Sequence, residues 1–172
     1  MNVLGIAGWS GSGKTTLVTR LLVELVGRGV SVSTVKHAHH DFDIDQVGKD
    51  SHKHRQAGAR QVMVSSRVRW ALIEELGASP ELGLDELLNQ MSPVNLVLVE
   101  GFKFGHHEKI EVYRKGCSDS QLFPDDPNII AVASDVPLSG VNRPVLDLNN
   151  VAAIGEFIVA RWDLSVQKND ST

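Results

Sequence analysis

The sequence predicts an α/β fold in which helices flank a mainly parallel sheet, and three observations lead to that prediction. Residues 3–7 form a short apolar, β-rich run, which a glycine-rich segment joins to the helical pattern of residues 16–26. Residues 30–36 alternate and are rich in β-branched side chains, so they complete a strand–helix–strand unit whose strands should be parallel. Residues 94–99 are almost wholly apolar, as is typical of a strand buried within a parallel sheet.

The remaining elements are assigned from the same patterns. Helices are predicted at residues 51–59, 84–91 and 151–162, and further strands at residues 109–114, 128–133 and 145–148. Residues 61–66 and 68–73 are two closely joined β segments, which form either a hairpin or a β-ribbon at the edge of the sheet. Residues 165–172 are a polar C-terminal tail, which we expect to be frayed.

The glycine-rich segment, residues 8–15, fits the phosphate-binding pattern G-x-x-x-x-G-K-[ST] at every fixed position. Glycines let consecutive backbone N–H groups turn toward a phosphate, and the N-terminus of the following helix adds a partial positive charge. Lys14 would then reach the β- and γ-phosphates, while Thr15 would offer its hydroxyl to Mg²⁺. The alternative is a turn that only caps a helix, but the lysine and both flanking elements favour a P-loop NTPase, a single nucleotide-binding domain over residues 1–164. The residues predicted to hold the nucleotide in this segment are Gly8, Ser10, Gly11, Ser12, Gly13, Lys14, Thr15 and Thr16.

Glu100 is the carboxylate that follows the apolar run of residues 94–99. An acid at the end of a central parallel strand is the Walker B pattern, with glutamate here where aspartate is usual. We expect Glu100 to hold Mg²⁺ together with Thr15 and to act in catalysis with Lys14; the alternative is a helix cap. Lys36 ends another predicted strand and is expected to contact phosphate, although an exposed lysine without a function is the default.

Polar residues are dense after the second strand, on the edge of the sheet where the phosphate loop should lie. His37 and His39 are expected to donate to phosphate oxygens. Asp41 is a catalytic candidate that would orient the attacking water, and Asp43 is a candidate for holding Mg²⁺. Two alternatives stay open for this loop: a solvated acidic segment, and a transition-metal site built from histidines.

If the nucleotide is GTP, a carboxylate should accept hydrogen bonds from the N1–H and N2–H₂ groups of its guanine base. GTPases usually supply this carboxylate from an Asn-Lys-x-Asp sequence, which is absent here. Asp135 follows a predicted buried strand and is the comparable candidate. An aspartate that only stabilises a turn is the competing interpretation.

Composition restricts the class of protein. The 172 residues carry a net charge of -4, which argues against a general binder of nucleic acid or of anionic membranes. The one cysteine excludes an internal disulfide and favours a reducing compartment. Because neither a signal peptide nor a long apolar span is evident, we expect a cytoplasmic protein.

These residues together resemble the MobB family of molybdopterin-guanine dinucleotide biosynthesis proteins, over nearly the whole chain. The histidine–aspartate segment and the Glu-Gly-Phe-Lys segment are more specific than the phosphate loop, which countless proteins share. The segments that carry the resemblance are residues 8–17, 36–37, 39–41, 43, 48–51, 55, 57–59, 99–103 and 130–135.

The resemblance implies a GTP-binding protein with weak GTPase activity, an adapter that assists a separate nucleotidyltransferase, MobA, in attaching GMP to molybdopterin. It implies a phosphate-binding role for Gly11, Gly13, Lys14 and Thr15, and a role on the metal side for Glu100. Molybdopterin or its guanine dinucleotide is a possible further ligand. Members of the family are homodimers, and the apolar β segments of residues 62–73 are consistent with this because an unpaired edge invites pairing.

Two other functions compete with this interpretation. The chain would be a small-molecule kinase or ligase of the dethiobiotin-synthetase type if the histidine–aspartate loop bound an acceptor. It would be a metal-delivery NTPase if the histidines carried the metal. GTP turnover without an acceptor, acceptor-dependent ATP consumption and stoichiometric Zn²⁺ or Ni²⁺ binding distinguish the three.

Overall fold

The computed structural model describes residues 1–38, 42–117 and 120–164. Contacts between Cα atoms divide the chain into two compact units. The first unit comprises Met1–His37 and the chain from Leu88 onward, and the second comprises Ala38–Leu87. That residues 1–164 act as a single domain stays a prediction, and the tail of residues 165–172 lies outside the described residues.

The first unit contains a six-stranded sheet with the strand order β2-β5-β1-β6-β7-β8. Each neighbouring pair in this sheet is parallel, which confirms the predicted sheet type. The strands are β1 (Asn2–Ala7), β2 (Val32–Lys36), β5 (Leu96–Glu100), β6 (Lys109–Tyr113), β7 (Ile129–Ser134) and β8 (Val145–Asp147). The helices in the described ranges are α1 (Lys14–Gly27), α2 (Asp50–Gln56), α3 (Leu84–Leu88) and α4 (Val151–Trp162).

One apolar core joins the sheet to helices α1 and α4. Leu17, Leu21 and Leu25 recur at helical spacing on α1 and are buried against the same cluster as Ile154 and Ile158 of α4. Each such side chain contributes about 1.5–3 kcal/mol when it is fully buried. The core therefore holds α1, and with it the segment that precedes α1, against the middle of the sheet.

The second unit contains α2 and the predicted β-ribbon. The ribbon is an antiparallel hairpin, in which β3 (Gln61–Ser65) and β4 (Trp70–Glu74) form a two-stranded sheet of their own. Helix α2 is shorter than the sequence pattern indicated, because it ends at Gln56 and Gly58 takes a positive φ of 98°. Of the helices in the described ranges, none combines the length and the hydropathy of a membrane-spanning segment.

Candidate phosphate-binding site

Parallel strands place the residues that follow β1, β2, β5, β6 and β7 at one edge of the first unit's sheet. The phosphate loop, residues 8–15, follows β1, which lies at the centre of the sheet between β5 and β6. The register pairs Ile6 of β1 with Glu100 of β5, two residues before the loop begins at Gly8. Sheet register, rather than any local sequence feature, therefore brings Glu100 beside the loop.

The backbone of the phosphate loop requires glycine. Gly8, Gly11 and Gly13 have φ angles of 145°, 79° and 95°, a region that residues with a side chain rarely adopt. A Cβ atom on Gly8 would also lie 2.6 Å from the backbone oxygen of Val112. Gly13 caps α1 without a side-chain hydrogen bond, so the first amides of the helix keep their donors for an anion.

An open cavity of about 370 Å³ lies over this loop. It is lined by Ser10, Gly11, Gly13, Lys14, Thr15, Thr16 and Glu100, all of which belong to the predicted site. Gly8 and Ser12, the other two predicted residues of this segment, are buried within the loop and do not line the cavity. The Ser12 side chain is 2% exposed, and its hydroxyl has no hydrogen-bond partner among the residues that the structure describes.

Lys14 lies across its own loop. Its Nζ atom donates to the backbone oxygens of Gly8 at 2.9 Å and Trp9 at 2.8 Å. Partial burial lowers the pKa of Lys14 and the neighbouring cation Lys103 lowers it further, while Glu100 acts in the opposite direction. An anion in the cavity would restore a favourable environment for the ammonium group, so the residue is well placed to bind one.

Thr15 and Glu100 form the part of the cavity that suits a metal ion. The Thr15 hydroxyl donates to Oε1 of Glu100 at 2.6 Å, and the Lys36 ammonium lies 3.8 Å from the same oxygen. A hydroxyl and a carboxylate are oxygen donors of the kind that Mg²⁺ takes together with water. The residues therefore fit Mg²⁺, and the structure brings Lys36 to them as well.

The segment after Glu100 is strained and packs on His37. Gly101 and Phe102 have φ angles of 102° and 46°, and the His37 ring stacks on the Phe102 ring with centroids 4.7 Å apart. The His37 amide also donates to the Glu100 carbonyl oxygen at 2.8 Å. His37 thus supports the turn that carries Glu100, and its predicted contact with phosphate stays a prediction.

We predict that Gly101→Ala destabilises the protein more than Gly116→Ala. Both glycines have a positive φ, which costs a residue with a Cβ atom about 1–2 kcal/mol. A Cβ atom at position 101 would also lie 2.6 Å from the Cβ of His37, whereas no atom of the described residues lies within 4 Å of one at position 116. Urea denaturation should show an additional loss of about 1–3 kcal/mol for Gly101→Ala, and equal losses would contradict the prediction.

The loop that follows β6 was not assigned to the site from the sequence, yet three hydrogen bonds join its described residues to the phosphate loop. Nε of Arg114 donates to the Ser12 carbonyl oxygen at 3.4 Å, and the Cys117 thiol donates to that of Gly11 at 3.3 Å. The indole N–H of Trp9 donates to the Ser120 carbonyl oxygen at 2.9 Å. The sequence placed Arg114 inside a strand, so its position just past the end of β6 was the missed signal.

A further cation, Lys103, and a carboxylate, Asp135, stand at this edge of the sheet. The Lys103 ammonium lies 4.1 Å from the centroid of the Trp9 ring, in a cation–π contact. Asp135 follows β7, and its Oδ1 accepts from the Lys115 amide at 3.0 Å while its Oδ2 lies 4.0 Å from Nη1 of Arg114. The carboxylate of Asp135 thus already has protein partners, and its predicted contact with guanine stays a prediction.

In the second unit, the guanidinium of Arg55 forms ion pairs with three carboxylates. Its guanidinium lies 2.7 Å from Asp43, 3.4 Å from Asp45 and 2.6 Å from Glu75. The predicted role of Asp43 in holding Mg²⁺ stays a prediction, while His39 and Asp41 lie outside the described residues. Within the described ranges, no group of three His, Cys, Asp or Glu residues is arranged to hold a metal ion.

This cluster predicts a pH dependence. Hydrogen bonding from Arg55 lowers the pKa of Asp43. The ion pair therefore stabilises the folded protein fully above the ordinary aspartate pKa of about 4, and this stabilisation is lost as the pH falls through the lowered pKa. Arg55→Gln should return the pKa of Asp43 toward about 4, as measured by carboxyl ¹³C titration. Lys53→Gln is the control, since Lys53 pairs with Asp50; an unchanged Asp43 pKa in Arg55→Gln would refute the expectation.

Comparison of the sequence with known proteins shows to which family the chain belongs. The family model described as molybdopterin guanine dinucleotide synthesis protein B (MobB) matches residues 3–135. A relative from Escherichia coli K12, named "Molybdopterin-guanine dinucleotide biosynthesis adapter protein", is 44% identical over 160 residues, which is 91% of each chain. A Haemophilus influenzae protein of the same name is 40% identical over 158 residues, or 91% of this chain and 86% of its own.

Solved structures agree with this assignment. The crystal structure of a MobB homolog from Bacillus stearothermophilus has a TM-score of 0.73 at 28% identity, covering 96% of this chain and 100% of its own. A crystal structure titled molybdopterin-guanine biosynthesis protein B also has a TM-score of 0.73, at 32% identity over 94% of this chain and 99% of its own. The match extends over most of the chain in sequence and in fold, and the chain therefore belongs to the MobB family.

Proposed function

We propose that this protein is an adapter in the biosynthesis of molybdopterin guanine dinucleotide, which binds GTP with Mg²⁺ and hydrolyses it slowly. The observation that carries the proposal is the 2.6 Å hydrogen bond between Thr15 and Glu100 at the mouth of a glycine-rich phosphate loop. The adapter role is supported by the names of relatives that are 44% and 40% identical to the chain.

The binding step follows from the residues that line the cavity. The amides of the loop and of the first turn of α1 would surround the β-phosphate, with the Lys14 ammonium directed at the β- and γ-phosphates. Thr15 and Glu100 would hold Mg²⁺, which neutralises charge on the phosphate oxygens when bound. Lys36, 3.8 Å from Glu100, adds a cation at the same end.

Slow hydrolysis is what we expect from this set of residues. Among the described residues that line the cavity, Glu100 is the one carboxylate, and it is engaged by Thr15. Phosphoryl transfer depends on positioning the water and on stabilising charge, so a site without a further base at hand should turn over slowly. Asp41 stays our candidate for orienting the water, and His37 and His39 for contacting phosphate.

The proposed partners come from the same family. They are a MobA-type nucleotidyltransferase, molybdopterin or its guanine dinucleotide, and a second copy of the chain. The hairpin of the second unit supports self-association, because Met63, Trp70 and Leu72 are exposed apolar side chains on it. Nucleic acid and membranes are not proposed as partners, and we expect the protein in the cytoplasm.

Calorimetric titration of the purified protein with GTP, GDP and ATP, each with and without Mg²⁺, tests the nucleotide part. We expect GTP to bind more tightly than ATP, and Mg²⁺ to strengthen GTP binding more than GDP binding. Absence of heat with every purine nucleotide would refute GTP binding. ATP consumption that needs an added acceptor would instead favour the kinase interpretation.

A reconstituted assay tests the adapter part. A MobA-type enzyme, molybdopterin and GTP would be mixed with and without this protein, and formation of the guanine dinucleotide would be measured by chromatography. We expect the protein to increase the yield or rate, and sedimentation velocity to show a dimer. An unchanged yield over a range of protein concentrations would contradict the adapter role.

A further inference from the structure

Arg114 is a cation beside the phosphate loop that the proposed GTP site does not yet use. Its Nε atom donates to the Ser12 carbonyl oxygen at 3.4 Å. A Cβ atom on Gly13 would lie 3.4 Å from its Nη2 atom, so the guanidinium plane passes close to the loop just before Lys14. The side chain is 42% exposed, so part of the guanidinium, which carries several N–H donors, is open to solvent.

The sheet places Arg114 opposite the metal side of the cavity. Because β1 lies between β5 and β6, Glu100 at the end of β5 and Arg114 after β6 flank the phosphate loop from its two sides. In P-loop NTPases the metal bridges the β- and γ-phosphates. A nucleotide whose β- and γ-phosphates lie beside Thr15 and Glu100 would extend its α-phosphate toward the β6 side of the loop, so that Arg114 would face the α-phosphate and the adjoining oxygens of the β-phosphate.

Among the residues that the structure describes, Asp135 is the carboxylate paired with Arg114, and it compensates the charge of that side chain only partly. Oδ2 of Asp135 lies 4.0 Å from Nη1 of Arg114, a distance at which an exposed pair contributes little. The other oxygen of Asp135 accepts from the Lys115 amide at 3.0 Å, which anchors the carboxylate to the backbone next to Arg114. Asp135 is thus anchored 4.0 Å from the guanidinium, a distance from which its charge biases the orientation of that group only weakly and does not neutralise it.

We propose that Arg114 binds the α- and β-phosphates of the nucleotide and that Asp135 positions it. The inference rests on the proposed GTP site. A guanidinium offers several N–H donors in a fixed plane, which suits bidentate recognition of phosphate oxygens. Since the contact does not involve the γ-phosphate or the base, it contributes equally to GTP, GDP and ATP binding.

The experiment is calorimetric titration of the Arg114→Gln variant with GTP, GDP and ATP. We expect affinity for all three to fall about tenfold, with the ratios among them unchanged. Arg114→Lys should recover part of the loss, since the charge returns without the planar group. Unchanged GDP affinity, or a loss confined to GTP, would overturn the assignment to the α- and β-phosphates.

Arg161→Gln is the matched control. Arg161 is also an exposed arginine paired with a carboxylate, but its partner Glu108 precedes β6 and so lies at the opposite edge of the sheet. We expect nucleotide affinities in this variant to equal those of the wild type, and thermal melting to show that Arg114→Gln remains folded. Equal losses in both variants would overturn the proposal, whereas wild-type protein that binds no nucleotide would refute the GTP site itself.

A double-mutant cycle tests the role of Asp135. Asp135→Asn should lower affinity for GTP and ATP by the same, smaller factor and should have no further effect in the Arg114→Gln background. That non-additivity is a result that a merely structural role of Asp135 would not produce. A selective loss of GTP over ATP in Asp135→Asn would overturn the positioning role and support guanine recognition instead.

Discussion

Replacing Lys14 with alanine should lower the affinity for GTP by about 10- to 150-fold. A charge-assisted hydrogen bond contributes about 1.5–3 kcal/mol, and the Lys14 ammonium is the cation that lies on the phosphate loop itself. Lys14 also donates to the carbonyl oxygens of Gly8 and Trp9. The variant loses those contacts as well, so its stability must be measured beside its affinity.

Calorimetry with GTP and Mg²⁺ measures the affinity, and thermal melting without nucleotide measures the stability. Lys53→Ala is the control, because Lys53 is an exposed lysine of α2 that pairs with Asp50. We expect the control to bind GTP like the wild type. A folded Lys14→Ala variant that binds GTP as tightly as the wild type would exclude Lys14 from phosphate binding.

Glu100→Gln should remove the effect of Mg²⁺ on GTP binding and slow hydrolysis roughly 100-fold. The amide keeps the size of the side chain and can still accept a hydrogen bond from Thr15, but it lacks the negative charge that attracts the metal. Losing an electrostatic contribution at a reacting phosphate commonly costs about 100- to 1,000-fold in rate. GTP affinity without Mg²⁺ should stay unchanged or rise slightly, because a negative charge near the phosphates is gone.

Titrations with and without Mg²⁺, and phosphate release under saturating GTP, measure these effects. Glu156→Gln is the control, since Glu156 lies on α4 with a side chain that is 70% exposed. We expect it to keep both the response to Mg²⁺ and the rate of the wild type. If Glu100→Gln kept the full response to Mg²⁺, the metal would have to be held by other residues.

Much of the site follows from local sequence. The pattern of residues 8–15 predicts the phosphate loop, and the positive φ angles of Gly8, Gly11 and Gly13 are the reason why glycine stands there. The apolar run before Glu100 places this carboxylate at the end of a buried strand. Local patterns are sufficient here because helix starts and tight loops depend on residues a few positions apart.

Other contacts join residues that are far apart in the chain. Arg114 and Ser12 are 102 positions apart in the sequence and are joined by a hydrogen bond, as are Thr15 and Glu100, which are 85 positions apart. Which strands become neighbours of β1 depends on packing of the whole sheet against α1 and α4, and no local pattern encodes it. The sequence pattern predicted a strand over residues 109–114, whereas β6 ends at Tyr113. Arg114 was therefore assigned to the strand rather than to the loop beside the phosphate loop.

The sequence by itself determined that the chain has a phosphate loop, a carboxylate at the end of a buried strand and a parallel α/β fold. The spacing of the glycines and the periodicity of the apolar residues predict these features. Tertiary structure alone decided that β5 and β6 flank β1, and hence that Glu100 stands on one side of the loop and Arg114 on the other. The physical reason is that strand pairing and helix packing bury apolar surface over the whole first unit, and polar residues at the sheet edge take their neighbours from that arrangement.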